Sequence, residues 1–443
     1  MLGDYRISGR RAAEIAASVE RGVGSGELPP GQALPPMREL AARLDVNPNT
    51  VAAAYRTLRE RGVIETAGRR GSRVRSAPAG TSRGSLRVEA PPGVRNLGEG
   101  NPDPALLPAL GPALAFAAAA DAESPGLYGQ APVVPEFAAR ARAALDADGV
   151  PTGPLAVTSG ALDAIERVLA AHLRPGDAVA VEDPGWGAVL DLVPALGLRA
   201  VPVGVDDSGP LVADVERVLR AGARAIVVTD RAQNPTGASL DAGRARELRA
   251  VLGRHPDVLV VEDDHGHAIV DLPLHPLAGV TDHWAFVRSA AKAYGPDLRV
   301  AVLTGDAVTL DRVTGRQRLG PGWVSRLLQR AVLRLWTSEA VDASVVARSY
   351  GDRREALVRA LAERGVSAGG RSGMNVWVPV DDETGAVTRL LHAGWAVAPG
   401  ARFRIATPPA VRITVSPLTA ADIGPLADAV AAAAGPPRPV TYG

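Results

Sequence analysis

Seven apolar runs, separated by segments of helical periodicity, restrict how this chain can fold more than any other feature of its sequence. The runs are continuously apolar rather than alternating, which is typical of strands buried on both faces of a mainly parallel sheet. Ligands of such sheets bind beyond the carboxyl ends of the strands. The pattern therefore predicts an α/β body with its site at that edge, with strands at 155–160, 178–183, 199–205, 225–230, 258–263, 284–290 and 299–305.

Composition excludes several classes of protein. The 443 residues exceed what one ordinary core holds, so we expect two or three domains. The sequence contains no cysteine, which excludes disulfides, thiolate metal sites and cysteine nucleophiles. It has no apolar run of membrane-spanning length, and its first residues lack the apolar segment of a signal peptide. We therefore expect a cytoplasmic protein with no membrane partner.

The first 80 residues are basic, unlike the remainder. They hold 13 arginines against 8 acidic residues, whereas the whole chain has a net charge of +1. Helical spacing occurs at 10–23 and 37–44, and a turn with Asn47 as N-cap and Pro48 as first helical residue begins a third helix. The predicted buried face of that helix is Val51, Ala54, Tyr55 and Leu58. Two short strands around Gly-Arg-Arg-Gly follow, which completes a winged helix-turn-helix; a small helical domain that binds protein is the alternative.

The stretch LPPMRELAARLDVNPNTVAAAYRTLRERGVIETAGRRGSRV resembles the N-terminal domain of GntR-type transcriptional regulators over nearly its full length. The resemblance implies binding to promoter double-stranded DNA through the major groove. Pro48 stands where many members have arginine, so their operator preference does not carry over to this chain. The residues that the resemblance assigns to DNA contact are Arg38, Asn49, Thr50, Arg69, Arg70 and Arg73.

Residues 76–94 are rich in proline, glycine, serine and alanine and show no sustained apolar period. This composition predicts a flexible to semi-extended linker. The predicted domains are therefore a DNA-binding domain at 1–75 and a body at 95–443, whose smaller α+β part begins at about residue 336.

Lys292 is the only lysine in a chain that has 49 basic residues. An arginine guanidinium is never usefully deprotonated, whereas a lysine amine can lose its proton and attack a carbonyl. A Schiff-base lysine is therefore one hypothesis for this residue. A stray surface lysine is the alternative.

Polar residues follow four of the predicted strands at the edge where a ligand is expected. One strand leads into a helix through a Ser-Gly-Ala sequence, which offers backbone amides and a positive dipole end to a phosphate. The other strand ends supply an amide, a carboxylate, a hydroxyl and the amine. The residues concerned are Ser159, Gly160, Ala161, Asn234, Asp263, Ser289 and Lys292. Taken singly, Ser159, Asn234 and the nearby Arg299 are also explained as turn, cap and surface charge.

From about Asn96 to the C-terminus the chain resembles the fold type I aminotransferases, through the motifs EDPGW, QNPTG, VEDDH and SxxKxxxxxxR in that order. The resemblance implies pyridoxal 5′-phosphate as cofactor. It implies that Lys292 forms the internal aldimine, that Asp263 pairs with the pyridinium, and that Asn234 meets the phenolate oxygen. It stacks Trp186 on the cofactor ring and assigns the phosphate to Ser159, Gly160, Ala161, Ser289 and Arg299.

The same resemblance covers two more positions and shows two departures. Tyr128, in LYGQ, corresponds to a tyrosine that reaches the phosphate of the neighbouring subunit. Arg412, in VRITVS, corresponds to the arginine that clamps a substrate carboxylate, and with Asn234 it is assigned to the effector. His265 occupies the cofactor-site position where related proteins have a tyrosine, and the segment after Tyr128 lacks the usual glycine and Leu-Arg. Both departures weigh against full transaminase competence but not against cofactor binding.

The sequence EDDHGH has a second interpretation as a metal site. Asp263, Asp264, His265 and His267 could serve as ligands, because an H-x-H pattern on a strand places both imidazoles on one face. That interpretation leaves Lys292 and the phosphate residues without a role. We therefore predict a site without metal.

A GntR-type head joined to an aminotransferase-like body resembles the MocR family of regulators over essentially the whole chain. The resemblance implies a homodimer with cofactor sites at the subunit interface. It also implies that the body senses pyridoxal phosphate or an amino compound through an aldimine at Lys292. Sensing then changes how the two DNA-binding domains of the dimer bind the promoter. The alternative is a catalytically active aminotransferase with an accessory DNA-binding domain; His265 and the long linker favour the sensor.

Overall fold

The computed structural model describes residues 5–24, 27–28, 31–60, 63–66, 71–74 and 83–434. The chain divides into two compact units. The first consists of residues 1–85, 173–179 and 191–200, and the second of residues 86–172, 180–190 and 201–443. In the ranges that the structure describes, no helix has both the length and the apolar composition needed to cross a membrane.

The described residues of the predicted DNA-binding domain form three helices and an antiparallel pair of strands: α1 Ala12–Gly24, α2 Met37–Leu44, α3 Pro48–Glu60, β1 Ile64–Thr66 and β2 Ser72–Val74. In the turn before α3, the side-chain oxygen of Asn47 accepts the amide hydrogen of Asn49 at 2.8 Å. The predicted inner face of α3 is confirmed, because all four residues are at most 1% exposed: Val51, Ala54, Tyr55 and Leu58. The winged helix-turn-helix is thus confirmed, with α1 beginning two residues later than predicted.

The Gly- and Pro-rich stretch before α2 does more than interrupt the helices. Ala33 forms a bridge with Arg73 of β2, and the Leu34 amide donates to the Ser72 carbonyl at 2.9 Å. The Tyr55 hydroxyl donates to the Pro35 carbonyl at 2.8 Å, which ties the stretch to α3. Residues 33 and 34 therefore pair with strand β2 of the wing, a pairing that the helical periodicity did not predict.

The described residues of the predicted body alternate between strands and helices, as the apolar runs predict. Its strands are β3 Arg95–Asn96, β4 Leu155–Thr158, β5 Ala178–Asp183, β6 Arg199–Asp206, β7 Gly209–Pro210, β8 Ala225–Thr229, β9 Leu259–Asp264, β10 His283–Ser289, β11 Ala301–Gly305, β12 Asn375–Pro379, β13 Trp395–Ala396, β14 Ala398–Pro399 and β15 Ala410–Thr414. Its helices are α4 Leu110–Glu123, α5 Pro135–Ala147, α6 Ala161–His172, α7 Gly187–Ala195, α8 Val212–Arg220, α9 Ala242–Leu252, α10 Ala291–Tyr294, α11 Ala307–Arg318, α12 Arg326–Thr337, α13 Ala343–Ala362, α14 Glu383–His392 and α15 Ala420–Ala434. Every one of the seven predicted runs contains a strand.

The large sheet has eight strands in the order β4-β11-β10-β9-β8-β5-β6-β7. Strand β9 pairs in parallel with β8 and with β10. Strand β11 is an exception that the apolar pattern did not predict, because it pairs antiparallel with both β10 and β4. The beginning of β11 therefore lies at the edge where β4 and β10 end.

The C-terminal part of the body adds a three-stranded antiparallel sheet in the order β12-β15-β14. Strand β13 pairs in parallel with β3, which follows the predicted linker directly. Arg87, in that predicted linker, forms an ion pair with Glu99, which lies after β3. The domain limits predicted from composition stay predictions.

Candidate cofactor site

Strand register brings three of the predicted phosphate residues to one corner of the sheet. Ala301, in β11, is paired on one side with Thr158 and on the other with Ser289. Ser159 follows Thr158 directly, and Arg299 lies two residues before Ala301. The Arg299 guanidinium donates to the Ser159 carbonyl at 2.6 Å. A cation and a hydroxyl thus lie at the end of β4 and β10.

Gly160 joins this corner to helix α6. Its φ is +94°, and a Cβ built there would lie 2.6 Å from the Arg299 guanidinium, so only glycine leaves room for that side chain. Helix α6 begins at Ala161, and the first amides of a helix have no partner within the helix. Together with Arg299 they form a cradle for an anion.

The Lys292 amine lies at the same edge, in α10. Its Nζ donates to the Gly100 carbonyl at 2.6 Å. Burial, and then the Arg412 cation, lower the pKa of Lys292 to about 8, although Asp263 opposes them. A substantial fraction of the amine is therefore neutral and nucleophilic slightly above neutral pH.

His265 holds the carboxylate of Asp263 in place. Its Nε2 lies 2.8 Å from the Ala232 carbonyl, an acceptor, so Nε2 carries a hydrogen. Its Nδ1 lies 2.8 Å from Asp263 Oδ2, a second acceptor, so the imidazole carries two hydrogens and a positive charge. Burial lowers the pKa of His265, but Asp263 and the Ala232 carbonyl outweigh burial and raise it above its ordinary value. Both ring nitrogens are engaged, so His265 acts through Asp263 and leaves no donor for a cofactor oxygen.

The other oxygen of Asp263 is left unpaired. The residue is 1% exposed, and Oδ1 has no hydrogen-bond partner among the residues that the structure describes. A buried carboxylate oxygen without a donor costs free energy, which a cationic N–H would recover.

Arg412 and Asn234 form a second polar pair. The Arg412 guanidinium donates to Asn234 Oδ1 at 3.0 Å and to the Gly98 carbonyl at 2.6 Å, and it lies over the Phe403 ring at 4.6 Å. Because the Asn234 oxygen accepts from Arg412, its NH2 group is the part left to donate to a ligand. Arg412 is 2% exposed, and the partners of its guanidinium among the described residues are an amide oxygen and a carbonyl rather than a carboxylate. Burial, and then the neighbouring Arg402, lower the pKa of Arg412 to about 9.

Two predicted aromatic residues differ in position. The Trp186 ring lies 6.5 Å from the His265 ring, centroid to centroid, so it belongs to the site. Tyr128 does not: its side chain is 91% exposed and contacts the edge of Trp323. Within one subunit, therefore, the structure brings together all the predicted cofactor residues except Tyr128.

Sequence reasoning missed the buried acids of EDPGW. Glu182 accepts from the amide and hydroxyl of Thr229 and from Gln233. Asp183 accepts the amides of residues 405–407 at 2.7 to 3.0 Å. Burial raises the pKa of Glu182 to about 7. Acidic residues that end an apolar strand were the available signal, and these two brace the loops around Trp186.

The metal interpretation of EDDHGH finds no support in the geometry. Asp264 is held by Arg231 and Arg288 at 2.8 and 2.9 Å, and Asp263 by His265. Across the described ranges, no group of three or more His, Asp or Glu residues is arranged to hold a metal ion.

Three of the six predicted DNA contacts lie on the helix-turn-helix. Arg38 is the second residue of α2 and is exposed, and Asn49 and Thr50 lie in the first turn of α3, where Asn49 is exposed. Arg73 is in β2 of the wing. The wing residues Arg69 and Arg70 lie outside the described residues. The N-terminal turn of a recognition helix is the part that reads bases in this motif.

Comparison with known proteins identifies the combination of domains. The family model of bacterial regulatory proteins of the gntR family matches residues 11–74, and that of aminotransferase class I and II matches residues 92–430. The chain is 40% identical to the vitamin B6 salvage pathway transcriptional repressor PtsJ of Salmonella typhimurium, across 95% of this chain and 98% of that protein. The chain belongs to the MocR-type regulators of the GntR family. This MocR-type regulator is also 27% identical to the HTH-type pyridoxine biosynthesis transcriptional regulator PdxR of Corynebacterium glutamicum, over 71% of this chain and 67% of that one.

Solved structures share the fold of the regulator's body. The alpha-aminoadipate aminotransferase LysN of Thermus thermophilus is 23% identical with a TM-score of 0.67, over 80% of this chain and 97% of that one. The aspartate aminotransferase of Thermus thermophilus is 24% identical with a TM-score of 0.68, over 77% of this chain and 91% of that one. The predicted fold, a winged helix-turn-helix followed by a fold type I aminotransferase-like body, is confirmed.

Because its body belongs to the aminotransferase class I and II family, the cofactor of this MocR-type regulator is pyridoxal 5′-phosphate. The residues of the site fit it. The unpaired Asp263 Oδ1 suits a pyridinium N–H, and the cradle of Gly160, Arg299 and the α6 amides suits a phosphate. Lys292 supplies an amine with a depressed pKa.

Proposed function

We propose that this chain is a cytoplasmic, homodimeric transcriptional regulator of vitamin B6 supply that uses its pyridoxal phosphate site as a sensor. It binds promoter DNA through α2, α3 and the wing, and a B6 vitamer or an amino compound changes that binding. The observation that carries the proposal is the match of this chain to a repressor named for vitamin B6 salvage, at 40% identity across 95% of the chain. An active aminotransferase with an accessory DNA-binding domain is not favoured by that full-length match.

Each residue of the site has a separate role in binding the cofactor or the effector. When bound, pyridoxal phosphate supplies an aldehyde that condenses with amines and a ring that withdraws electrons. Lys292 offers the neutral amine, and Asp263 keeps a buried negative charge beside the ring nitrogen, held by the His265 imidazolium. Asn234 donates from its NH2 group, while Arg412 offers a buried guanidinium to the carboxylate of an amino compound.

The segment that follows the linker passes through this site. Lys292 donates to the Gly100 carbonyl, and Arg412 donates to the Gly98 carbonyl, both at 2.6 Å. Lys292 cannot both donate to Gly100 as an ammonium and carry the cofactor, and Arg412 cannot give the same hydrogens to Gly98 and to a carboxylate. Occupancy of the site therefore competes with the contacts that hold residues 98–100. Since the linker ends a few residues earlier, this segment is the route by which we propose that occupancy reaches the DNA-binding domain.

A second subunit would cover apolar surface that one chain leaves exposed. Tyr128 is 91% exposed, Leu127 64% and Leu319 90%, and Phe116 and Leu327 are 46% and 40% exposed. Monomeric proteins rarely expose several large apolar side chains together. We propose that a homodimer covers them, and that Tyr128 completes the cofactor site of the partner.

Pyridoxal phosphate should change the affinity of the full-length protein for its operator at least fivefold. The operator would be selected from random duplexes, and binding would be measured by fluorescence anisotropy at constant salt, because phosphate contacts make affinity depend on salt. We expect the affinity to change because occupancy of the site competes with the contacts of Lys292 and Arg412 that hold residues 98–100. An operator affinity that does not respond to pyridoxal phosphate, pyridoxal or amines would contradict the sensor.

Arg38→Ala tests the DNA side of the same experiment. Loss of a base or phosphate contact should weaken operator binding about tenfold, with or without cofactor, and leave cofactor binding intact. Arg220→Ala in α8 removes the same charge from an exposed residue of the body and should have no effect. Equal effects of the two variants would show that only net charge matters.

Covalent capture of pyridoxal phosphate by the apo-protein should follow the depressed pKa of Lys292. With a pKa of about 8, the neutral fraction of the amine rises about fivefold from pH 7 to pH 8 and less than twofold from pH 8 to pH 9. The rate would be followed by stopped-flow absorbance. A rate that still rises tenfold per pH unit above pH 9 would indicate an ordinary lysine pKa.

A further inference from the structure

A cavity lies on one face of the large sheet, and the cofactor residues Asp263 and Ser289 point to the opposite face. Arg288, in β10, pairs with Asp264 in β9 and with Val302 in β11. Successive residues of a strand point to opposite faces, so these three side chains share a face that excludes Asp263 and Ser289. A cavity of about 90 Å³, open to solvent, lies on this face, and its lining includes Arg140, Ala144, His267, Arg288, Tyr294 and Trp336.

The lining combines a flat apolar wall with hydrogen-bond donors. Ala141, Ala144 and Leu145, all in α5, form one wall, and the Tyr294 and Trp336 rings meet edge to face at 6.4 Å. The Trp336 Nε1–H is buried and has no acceptor among the described residues. A buried donor without an acceptor is a cost that a ligand oxygen would remove. The lining contains no carboxylate.

The charges around the cavity leave one cation uncompensated. Arg288 is paired with Asp264 at 2.9 Å and with Asp148 at 2.6 Å, and Arg231 shares Asp264 at 2.8 Å, so two arginines face two acids. Burial, and then Arg288, lower the pKa of His267 to about 4, which keeps its imidazole neutral near pH 7. Arg140 is exposed at the cavity and has no ion-pair partner in the described part of the chain.

We propose that this cavity is a second ligand site, separate from the cofactor site, that binds a small aromatic carboxylate. The ring packs between the α5 wall and Trp336, and the carboxylate accepts from Arg140 and from the Trp336 N–H. A flat ring matches the walls, and a single negative charge matches the one uncompensated guanidinium.

The test is isothermal titration of the full-length protein, loaded with pyridoxal phosphate, with benzoate. One equivalent per subunit should bind, at least tenfold tighter than neutral benzamide. Ala144→Phe fills the cavity and should weaken benzoate at least tenfold. Ala143→Phe, on the exposed face of the same helix, is the matched control and should leave binding unchanged. Arg140→Gln should remove the preference for benzoate over benzamide.

Two outcomes would overturn the proposal. The first is the absence of benzoate binding up to about 10 mM, or equal binding of benzamide. The second is binding that survives Ala144→Phe but disappears in Arg412→Gln, since the carboxylate would then occupy the cofactor site. Benzoate binding that persists in Arg412→Gln, with the cofactor still attached, would support two separate sites.

Discussion

Lys292→Ala is expected to abolish covalent attachment of pyridoxal 5′-phosphate, because the chain has no other lysine. Borohydride reduction followed by intact-protein mass spectrometry should show one cofactor adduct per subunit in the wild type and none in the variant. Loss of attachment should also abolish the response of DNA binding to the cofactor. Operator binding itself should remain, since the winged helix-turn-helix is untouched.

Lys292→Arg is the control that separates charge from chemistry. The guanidinium can still donate to the Gly100 carbonyl, but it cannot condense with an aldehyde. If the arginine variant behaves as the alanine variant does, the amine chemistry is what matters. A reducible adduct that persists in both variants would show that attachment occurs elsewhere, and the assignment of Lys292 would be wrong.

Asp263→Asn is expected to weaken pyridoxal phosphate binding at least tenfold and to destabilise the apo-protein. The amide gives the ring nitrogen no negative charge, and it leaves the buried His265 imidazolium without its counter-charge. Removing one partner of a buried pair costs about 3 kcal/mol of the free energy of unfolding. Urea unfolding and cofactor titration measure the two effects.

The destabilisation should depend on pH in a defined direction. The pKa of His265 is raised in the folded protein, so its charge stabilises the fold fully below the unfolded pKa, near 6.5, and the contribution is lost as pH rises through the folded value. The difference in unfolding free energy between wild type and Asp263→Asn should therefore be largest below about pH 6.5 and shrink at higher pH. Asp311→Asn, at an exposed position of α11, should cost less than about 0.5 kcal/mol at any pH. A penalty that grows with pH would contradict the charged His265.

Local pattern was sufficient to predict much of the architecture. A strand buried on both faces must be apolar throughout, so β5, β8 and β9 were visible as runs. The inner face of α3 was predicted because residues three and four apart lie on one side of a helix. The lysine was conspicuous because no other residue of its type occurs in the chain.

Contacts between distant segments were not predictable in this way. His265 was identified as a departure from a tyrosine, but its partner Ala232 lies 33 residues away, so its role in holding Asp263 required the fold. Glu182 and Gln233 were missed for the same reason, since they meet across 51 residues. The contacts of Lys292 and Arg412 with Gly100 and Gly98 join segments separated by 192 and 314 residues.

By itself, the sequence determined which chemical groups are available and on which elements they lie: one amine, a carboxylate at a strand end, a glycine before a helix, and a basic helix-turn-helix. Periodicity and turn chemistry are local, and short stretches carry them completely. Only the tertiary structure decided which groups meet. The antiparallel direction of β11 places Arg299 beside Ser159, and the alternation of side chains along β9 and β10 assigns Asp263 and Arg288 to opposite faces. Strand order and direction are set by packing across the whole body, which no local stretch of sequence encodes.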